Sequence, residues 1–238
     1  MGNQMVFKRY EIKYLMDRRQ RDAVLKAMEP YMSIDKYGHS SIRNIYYDTP
    51  NFQLIRESLE KPVYKEKLRV RSYGRAATGD PVFVELKKKY QDVVYKRRIS
   101  LPQAQAEACL DRRMHLPDSQ IGREISYALE FYRELEPAVF LSYEREAFYE
   151  RDGGDFRVTF DENIRYRQVE LTLDSDPWGK AILQPDQVLM ELKTSGGLPL
   201  WMVHTLSQLN IFKTSFSKYG TAYQDIFLTE QKGVRKYA

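Results

Sequence analysis

Charged side chains recur at every second position in two stretches of this chain. They are Lys67, Arg69 and Arg71 in the first stretch, and Glu85, Lys87 and Lys89 in the second. Because side chains alternate between the two faces of a β-strand, each set shares one face while apolar residues occupy the other. A surface of ammonium and guanidinium groups suits the binding of a polyanion.

A third stretch, Val93–Ser100, repeats the pattern. Lys96 and Arg98 share one face, and Arg97 lies on the opposite face. Between Lys65 and Arg98 the chain has eleven Lys or Arg residues and four Asp or Glu residues, a net charge of +7, whereas the whole chain has +5. The positive charge is therefore local, as a site for a polyanion requires.

Other predicted strands also alternate charged or polar residues with apolar ones. The alternating residues are Arg9, Glu11 and Lys13; Tyr143 and Arg145; Arg157, Thr159 and Asp161; and Glu191 and Lys193. On any single strand this pattern is typical of the solvated face of an antiparallel sheet. Because so many strands share it, a common inner surface is favoured, on which ions must be paired, hydrated or bound to a ligand.

Periodicity and turn residues predict the elements that position these groups. Strands are predicted at Phe7–Leu15, Ser41–Tyr47, Glu66–Tyr73, Val82–Lys89, Val93–Ser100, Ala138–Tyr149, Phe156–Asp161 and Gln187–Lys193. Helices are predicted at Asp17–Met28, Phe52–Ser58, Pro102–Arg112, Ile121–Leu135, Leu200–Leu209 and Lys218–Phe227. The short connections between the basic strands predict an antiparallel meander.

Length and composition predict one continuous domain over residues 1–238. No Gly/Ser-rich or Pro-rich linker interrupts the 238 residues, and no internal repeat is visible. The single Cys109 excludes an intramolecular disulfide framework and fits a reducing compartment. No apolar run approaches the roughly 20 residues of a transmembrane helix. We therefore expect a cytoplasmic protein without membrane insertion.

Eight short motifs follow one another along nearly the whole chain. They are Arg9–Tyr14, Ile45–Thr49, Leu68–Gly74, Val82–Lys87, Tyr95–Arg98, Tyr143–Arg145, Val188–Lys193 and Phe216–Tyr219. In this order they resemble the vacuolar transporter chaperone (VTC) polyphosphate polymerase domain, of the triphosphate tunnel metalloenzyme superfamily. The resemblance implies an α+β fold in which antiparallel strands form a closed β-barrel, the tunnel, with flanking and C-terminal helices.

The resemblance also implies roles for individual residues. Substrate phosphates would be bound by Lys13, Arg69, Arg71, Lys87, Lys96, Arg98, Arg145, Lys193, Ser217 and Lys218, with Ser215 close to the last two; Arg98 and Lys193 join the set because they share the inner faces. The catalytic residues among these would be Arg69, Arg71, Lys87 and Arg145, together with Glu191. Glu191 would bind Mn²⁺ or Mg²⁺, since a carboxylate is a hard oxygen ligand.

Two further glutamates have two possible roles. Glu11 and Glu85 could act as a metal ligand and as a carboxylate that activates a nucleophile. They could equally be ion-pair partners that orient Lys13 and Lys87. Clustered cations in an empty tunnel need counter-charge, which favours pairing.

The reaction implied is transfer of the γ-phosphate of ATP to a growing polyphosphate chain. Two alternatives remain open: a triphosphatase of the same fold, and a non-catalytic module that binds polyphosphate or triphosphate. Nucleic acid is a less suitable ligand, because the aromatic residues do not interleave with the cations on one face as base stacking requires. The sequence has no P-loop or dinucleotide-binding glycine motif. The sequence does not identify a protein partner.

Overall fold

A computed structural model of the chain describes residues 10–91, 93–112 and 114–234, with side chains described up to Thr229. Its strands are β1 Tyr10–Asp17, β2 Met32–Asp48, β3 Tyr64–Tyr73, β4 Pro81–Tyr90, β5 Val93–Pro102, β6 Glu136–Glu150, β7 Arg157–Arg167, β8 Lys180–Ala181, β9 Gln187–Thr194 and β10 Lys213–Thr214. Its helices are α1 Arg18–Met28, α2 Gln53–Leu59, α3 Gln103–Leu110, α4 Gln120–Tyr132, α5 Leu200–Gln208 and α6 Lys218–Val234. The start of the predicted first strand, with Arg9, lies outside the described residues.

The chain forms two compact units, each made of three sequence segments. Unit 1 comprises the described residues up to Ile42, with Tyr143–Ile164 and Leu183–Phe216. Unit 2 comprises Arg43–Ser142, Arg165–Ile182 and the described residues from Ser217 onward. The strands β2, β6 and β7 each contribute residues to both units. The expectation of one domain stays a prediction.

Unit 1 is built on antiparallel pairing of β1 with β10 and β9, and of β9 with β7. One sheet face carries apolar residues such as Val158, Met190 and Leu192, which join the core with Met202 and Leu206 of α5. Helix α1 begins as predicted after Asp17, whose carboxylate accepts from the backbone N–H of Gln20 at 2.8 Å, while the Gln20 side chain accepts from the Asp17 N–H at 3.0 Å. The opposite sheet face carries the polar residues of the site.

Unit 2 contains the predicted meander, because β3 pairs antiparallel with β4 and β4 with β5. Leu68, Val70, Val84 and Leu86 point into a core that also contains residues of α3 and α4. On this core-facing side Arg97 contacts Glu124 of α4 at 3.0 Å. The alternation predicted from the sequence is confirmed for Lys67, Arg69, Arg71, Glu85, Lys87, Lys89, Lys96 and Arg98, which share the other face, whereas Glu66 and Lys88 lie on the core-facing side with Arg97.

The antiparallel α+β class with flanking and C-terminal helices is confirmed. The hydrogen-bonded strand order of the described residues begins at β10 and ends at β5, and no pairing joins those two strands. Closure of the sheet into a barrel is therefore not shown by hydrogen bonding. None of the helices in the described ranges is long and apolar enough to cross a membrane.

Three predicted elements are clearly shorter than those in the structure: β2, α6 and β7, which continues to Arg167 rather than ending at Asp161. Strand β2 starts at Met32 rather than Ser41. The sequence did not reveal its first half, because most of the residues before Ile42 are exposed or half-exposed and form no apolar face. Helix α6 continues to Val234 rather than ending at Phe227, since no Gly or Pro occurs from Leu228 to Lys232. The short strands β8 and β10 have only two residues each, which leaves no periodicity to detect.

Candidate anion-binding site

In unit 2, charged residues form rows that run directly across the three strands β3, β4 and β5. Lys67 lies opposite Lys87, which lies opposite Lys96. In the next row Arg69 lies opposite Glu85, which lies opposite Arg98. We call this side of the three strands, with Lys65, Arg71 and Lys89 on the same side, the cation face.

The carboxylate of Glu85 is the centre of the cation face. Arg69 donates to Oε2 from Nε at 2.9 Å and from Nη2 at 2.7 Å. Oε1 accepts from Nε of Arg98 at 2.6 Å and lies 2.8 Å from Nζ of Lys96. Since Glu85 is only 1% exposed, its charge is compensated by the protein rather than by water.

This environment decides between the two roles that the sequence leaves open for Glu85. Burial acts to raise the pKa of the carboxyl, but the surrounding positive charges outweigh burial and hold the pKa well below its ordinary value. Those charges belong to Arg69, Arg71, Lys96 and Arg98. A carboxylate with so low a pKa is a poor proton acceptor near neutral pH. The geometry therefore favours the ion-pair role for Glu85.

Strand β2 holds the two arginines of β3 in place. Arg69 donates from Nη1 to the Tyr46 hydroxyl at 3.0 Å. Arg71 donates from Nε to Asn44 Oδ1 at 2.9 Å, and the Asn44 amide donates to the Leu141 carbonyl at 3.0 Å. The sequence analysis missed Asn44 and Tyr46, although their spacing of two on a predicted strand was the available signal.

Helix α6 begins beside β3. The Ser217 hydroxyl accepts from Nζ of Lys67 at 3.2 Å and from the backbone N–H of Gly220 at 3.1 Å, so it also caps the helix. Tyr219 stacks on Tyr46 with ring centroids 4.5 Å apart and donates its hydroxyl to the buried Asp48 at 2.8 Å. This packing places Ser217 and the buried Lys218 at the start of α6. Ser215 is exposed.

A second cluster, in unit 1, surrounds the Glu191 carboxylate. Lys13 of β1 and Thr159 of β7 lie directly opposite Glu191 on its two sides. Oε1 lies 3.6 Å from Nζ of Lys13, and Oε2 lies 3.3 Å from Nζ of Lys193 and 3.5 Å from Nη2 of Arg145. Three predicted phosphate-binding cations thus converge on the predicted metal ligand.

Arg145 is fixed by a second carboxylate. It donates from Nε and Nη2 to the two oxygens of Asp161, at 2.6 and 2.7 Å, in the bidentate geometry of strong guanidinium–carboxylate pairs. Asp161 is fully buried. Burial alone would lower the pKa of Arg145, but the nearby carboxylates keep it well above its ordinary value, so Arg145 stays charged. Glu11 of β1 is likewise an ion-pair partner, since its carboxylate lies 3.3 Å from Nζ of Lys13.

The structure therefore brings the predicted site residues together in two sets. Unit 2 contains Arg69, Arg71, Lys87, Lys96, Arg98, Ser217 and Lys218, and unit 1 contains Lys13, Arg145, Glu191 and Lys193. Arg69 and Lys87 occupy the same sheet face, as expected. That all of them line one common volume stays a prediction, as do their individual roles.

We expect anion binding to the cation face to weaken as the pH rises through 8. Partial desolvation lowers the pKa of Lys96 to about 8, with contributions from nearby arginines, although Glu85 acts in the opposite direction and the side chain remains 45% exposed. Lys96 is therefore cationic below this pH and loses its charge above it. Tripolyphosphate affinity, measured by calorimetry from pH 7 to 9.5, should fall more in the wild type than in Lys96→Arg, which stays charged. Parallel pH profiles of the two proteins would exclude Lys96 as the titrating group.

Comparison with known proteins places this arrangement in a family. The VTC domain family matches residues 8–227. A protein from Bacillus halodurans, provisionally described as an adenylate cyclase, is 16% identical over 91% of this chain and 96% of its own, with a TM-score of 0.55. A Hippeastrum protein, also provisionally described as an adenylyl cyclase and reported to have a dominant triphosphatase activity, is 15% identical over 90% of this chain and 95% of its own, with a TM-score of 0.55. None of the curated proteins matches. The structures share the fold, and the match over most of the sequence shows that the chain belongs to the VTC domain family.

Proposed function

We propose that this protein is a polyphosphate polymerase that transfers the γ-phosphate of ATP to a growing polyphosphate chain within a closed, cation-lined tunnel. The observation that carries the proposal is the row Lys67, Lys87 and Lys96, in which cations are directly opposed across three strands. Like charges in this position destabilise a sheet. The Glu85 carboxylate, 2.8 Å from Nζ of Lys96, offsets part of this repulsion, and a bound polyanion would offset more of it.

The assigned roles follow the chemistry of each group. Arg69 and Arg71 are held in fixed orientations by neighbouring side chains, which suits directed hydrogen bonds to phosphate oxygens. Lys87 and Lys96 add positive charge beside them. Together with Arg145 these groups would stabilise the charge on the transferring phosphoryl group. Lys13, Arg98, Lys193, Ser217 and Lys218 would bind further phosphate oxygens.

The residues around Glu191 fit a divalent ion that is bound together with substrate. Among the described residues no group of three or more His, Cys, Asp or Glu side chains has the arrangement of a metal site. Mg²⁺, however, is usually held by one or two carboxylates and substrate phosphates. The buried Thr159 hydroxyl opposite Glu191 has no hydrogen-bond partner in the described part of the chain, which leaves a polar group for a ligand. Glu191 would hold the Mn²⁺ or Mg²⁺, which would offset phosphate charge.

The chain transfer needs no covalent protein intermediate. A terminal oxygen of the polyphosphate forms a bond to the γ-phosphorus of ATP as the bond between that phosphorus and the bridging oxygen breaks, and ADP leaves with the electron pair. The attacking oxygen is already anionic at neutral pH, so no general base is required. The low pKa of Glu85 is consistent with this, whereas a triphosphatase must activate water.

The direct test is to incubate the protein with ATP and either Mn²⁺ or Mg²⁺. The proposed function predicts acid-labile polymer and ADP. Free phosphate without polymer would favour the triphosphatase, which the reported activity of the Hippeastrum protein makes the second candidate. Tight tripolyphosphate binding with neither product would favour the non-catalytic module.

Arg69→Ala should weaken tripolyphosphate binding by at least about tenfold, because a hydrogen bond to a charged group contributes about 1.5–3 kcal/mol. Isothermal titration calorimetry measures this directly. Arg97→Ala is the matched control, since Arg97 lies on the core-facing side of β5 and contacts Glu124. Equal affinity of Arg69→Ala and wild type would remove Arg69 from the phosphate ligands.

A further inference from the structure

Two aromatic rings lie at one end of the cation face, next to Arg71. Tyr73 follows Arg71 by two positions on β3, and Phe83 lies directly opposite Arg71 on β4. Because strand side chains alternate, both rings are on the side of the sheet that carries the charges, whereas Val82 and Val84 point into the apolar core. The cation face therefore ends in aromatic side chains on two neighbouring strands.

The two rings and one arginine contact one another. The rings of Tyr73 and Phe83 meet edge to face, with centroids 5.7 Å apart and planes at 82°. The guanidinium carbon of Arg98 lies 4.3 Å from the centroid of Phe83, and Nη2 of Arg98 donates to the Tyr73 hydroxyl at 3.4 Å. Arg98 also donates from Nε to Glu85 at 2.6 Å. The aromatic pair is therefore joined to the row of Arg69, Glu85 and Arg98.

The two rings differ in exposure. Phe83 is half-buried, but Tyr73 is 51% exposed. A single exposed aromatic residue is common on protein surfaces and indicates no ligand by itself. Tyr73 differs because contacts with Phe83 and Arg98 hold its ring in place beside the phosphate-binding arginines. A fixed, exposed ring of this kind is a surface on which a planar aromatic ligand can stack.

A nucleobase is the planar group that this position suits. In a nucleoside triphosphate only the ribose separates the base from the α-phosphate, so a base site must adjoin the phosphate site. Tyr73 is two residues from Arg71, which corresponds to about 7 Å along β3. From Lys65 to Arg71 the positions on this face are all cationic, so successive bases of a nucleic acid would find no rings to stack on along β3. An aromatic pair at one end suits a single base.

We propose that the exposed ring of Tyr73, supported by Phe83 and Arg98, binds the base of the substrate nucleotide by stacking. This rests on the proposed function, and it adds a base-binding position that the phosphate-binding residues do not provide. Every nucleobase has a π face, so stacking selects the size of the base rather than its pattern of donors and acceptors. Purine nucleotides should therefore bind more tightly than pyrimidine nucleotides, with little preference between adenine and guanine.

The experiment compares ATP with tripolyphosphate, which has no base, by isothermal titration calorimetry in buffer with EDTA to prevent turnover. In Tyr73→Ala the affinity for ATP should fall by at least about fivefold, the smaller effect expected on removing a side chain that stacks with a base, while tripolyphosphate affinity stays within about twofold. Tyr73→Phe keeps the ring and should keep the affinity for ATP within about twofold. Tyr90→Ala is the matched control, because Tyr90 is 47% exposed but lies at the other end of β4 on the core-facing side, and it should leave both affinities unchanged.

Four results would overturn the proposal. Unchanged ATP affinity in Tyr73→Ala, or equal wild-type affinities for ATP and CTP, would exclude stacking of the base. An equal loss for ATP and tripolyphosphate would make Tyr73 a support of the phosphate-binding arginines. An equal loss of ATP affinity in Tyr73→Phe and Tyr73→Ala would assign the effect to the hydroxyl that contacts Arg98.

Failure of the proposed function is separate from these results, since it would show in the wild type as no polymer from ATP. If Tyr73→Ala is less stable than the wild type by thermal melting, the same comparison is made with Tyr73→Leu. Leucine keeps an apolar side chain beside Phe83 but has no π face, so it should lose affinity for ATP and keep affinity for tripolyphosphate.

Discussion

Glu85→Gln should make the unliganded protein much less stable and should make it bind tripolyphosphate more tightly. The substitution keeps the shape of the side chain but removes the negative charge that Arg69, Lys96 and Arg98 share. Breaking a buried ion pair in this way costs about 3–5 kcal/mol. Because these cations are partly exposed, we expect a loss of about 3 kcal/mol, which lowers the melting temperature by about 6–12 °C.

Removal of the Glu85 charge should also strengthen the binding of an added anion. In Glu85→Gln no carboxylate at this position repels phosphate, so tripolyphosphate affinity should rise by about three- to tenfold at low salt. Saturating tripolyphosphate should then restore most of the lost thermal stability. Glu124→Gln is the control, since Glu124 pairs with Lys88 and Arg97 on the core-facing side of the same sheet. A lower melting temperature without any recovery on adding tripolyphosphate would contradict the assignment of the cation face as the anion site.

The pH dependence gives a second measurement on this variant. The pKa of Glu85 is lower in the folded protein than its ordinary value, so its ion pairs stabilise the wild type above the pKa of the unfolded chain, about 4.3. That stability is lost as the pH falls from there toward the folded pKa. Glu85→Gln has no carboxyl group at this position, so the difference in stability between the two proteins should shrink below about pH 4.

Strand alternation was sufficient to predict which residues of β3, β4 and β5 share a face. Arg69, Lys87 and Lys96 lie together as expected because a period of two leaves a strand no other arrangement once its apolar face is buried. The meander was equally predictable, since short polar connections join the strands. For the Glu191 cluster, the sequence predicted which residues carry the charges but not that they meet around Glu191. Their meeting depends on the pairing of β1 with β9 and of β9 with β7, which joins residues distant in sequence.

The hydrogen bonds that orient Arg69 and Arg71 could not be predicted from strand alternation. The hydrogen bond from Arg71 to Asn44 joins residues far apart in the chain, and a buried amide gives no signal of its partner in sequence. Helix α5 shows a related difficulty. Its spacing predicts an apolar face of Leu200, Val203, Leu206 and Leu209. Leu206 is buried as predicted, but Leu200 is 76% exposed and Met202 is buried instead. An apolar helix has several possible faces, and packing partners decide which is buried.

Glu191→Gln should separate substrate binding from polymer synthesis. The glutamine keeps an oxygen near Lys13, Arg145 and Lys193 but removes the charge that a divalent ion requires. Synthesis of polymer from ATP should fall by about 100-fold or more, the effect expected when charge on the transferring group is no longer compensated. Tripolyphosphate affinity without metal should stay within a few-fold, because Arg69, Arg71 and the other cations are unchanged.

Metal binding provides the readout that does not depend on turnover. Mn²⁺ affinity in the presence of tripolyphosphate, followed by electron paramagnetic resonance, should decrease in Glu191→Gln and stay unchanged in Glu162→Gln, whose carboxylate pairs with Arg18 and Arg21. A merely structural role for Glu191 would change stability without changing Mn²⁺ affinity, because Arg145 keeps its bidentate partner Asp161. Wild-type Mn²⁺ affinity together with wild-type synthesis in Glu191→Gln would refute the metal-binding role. Loss of synthesis with intact Mn²⁺ affinity would instead assign Glu191 to positioning of Lys13, Arg145 and Lys193.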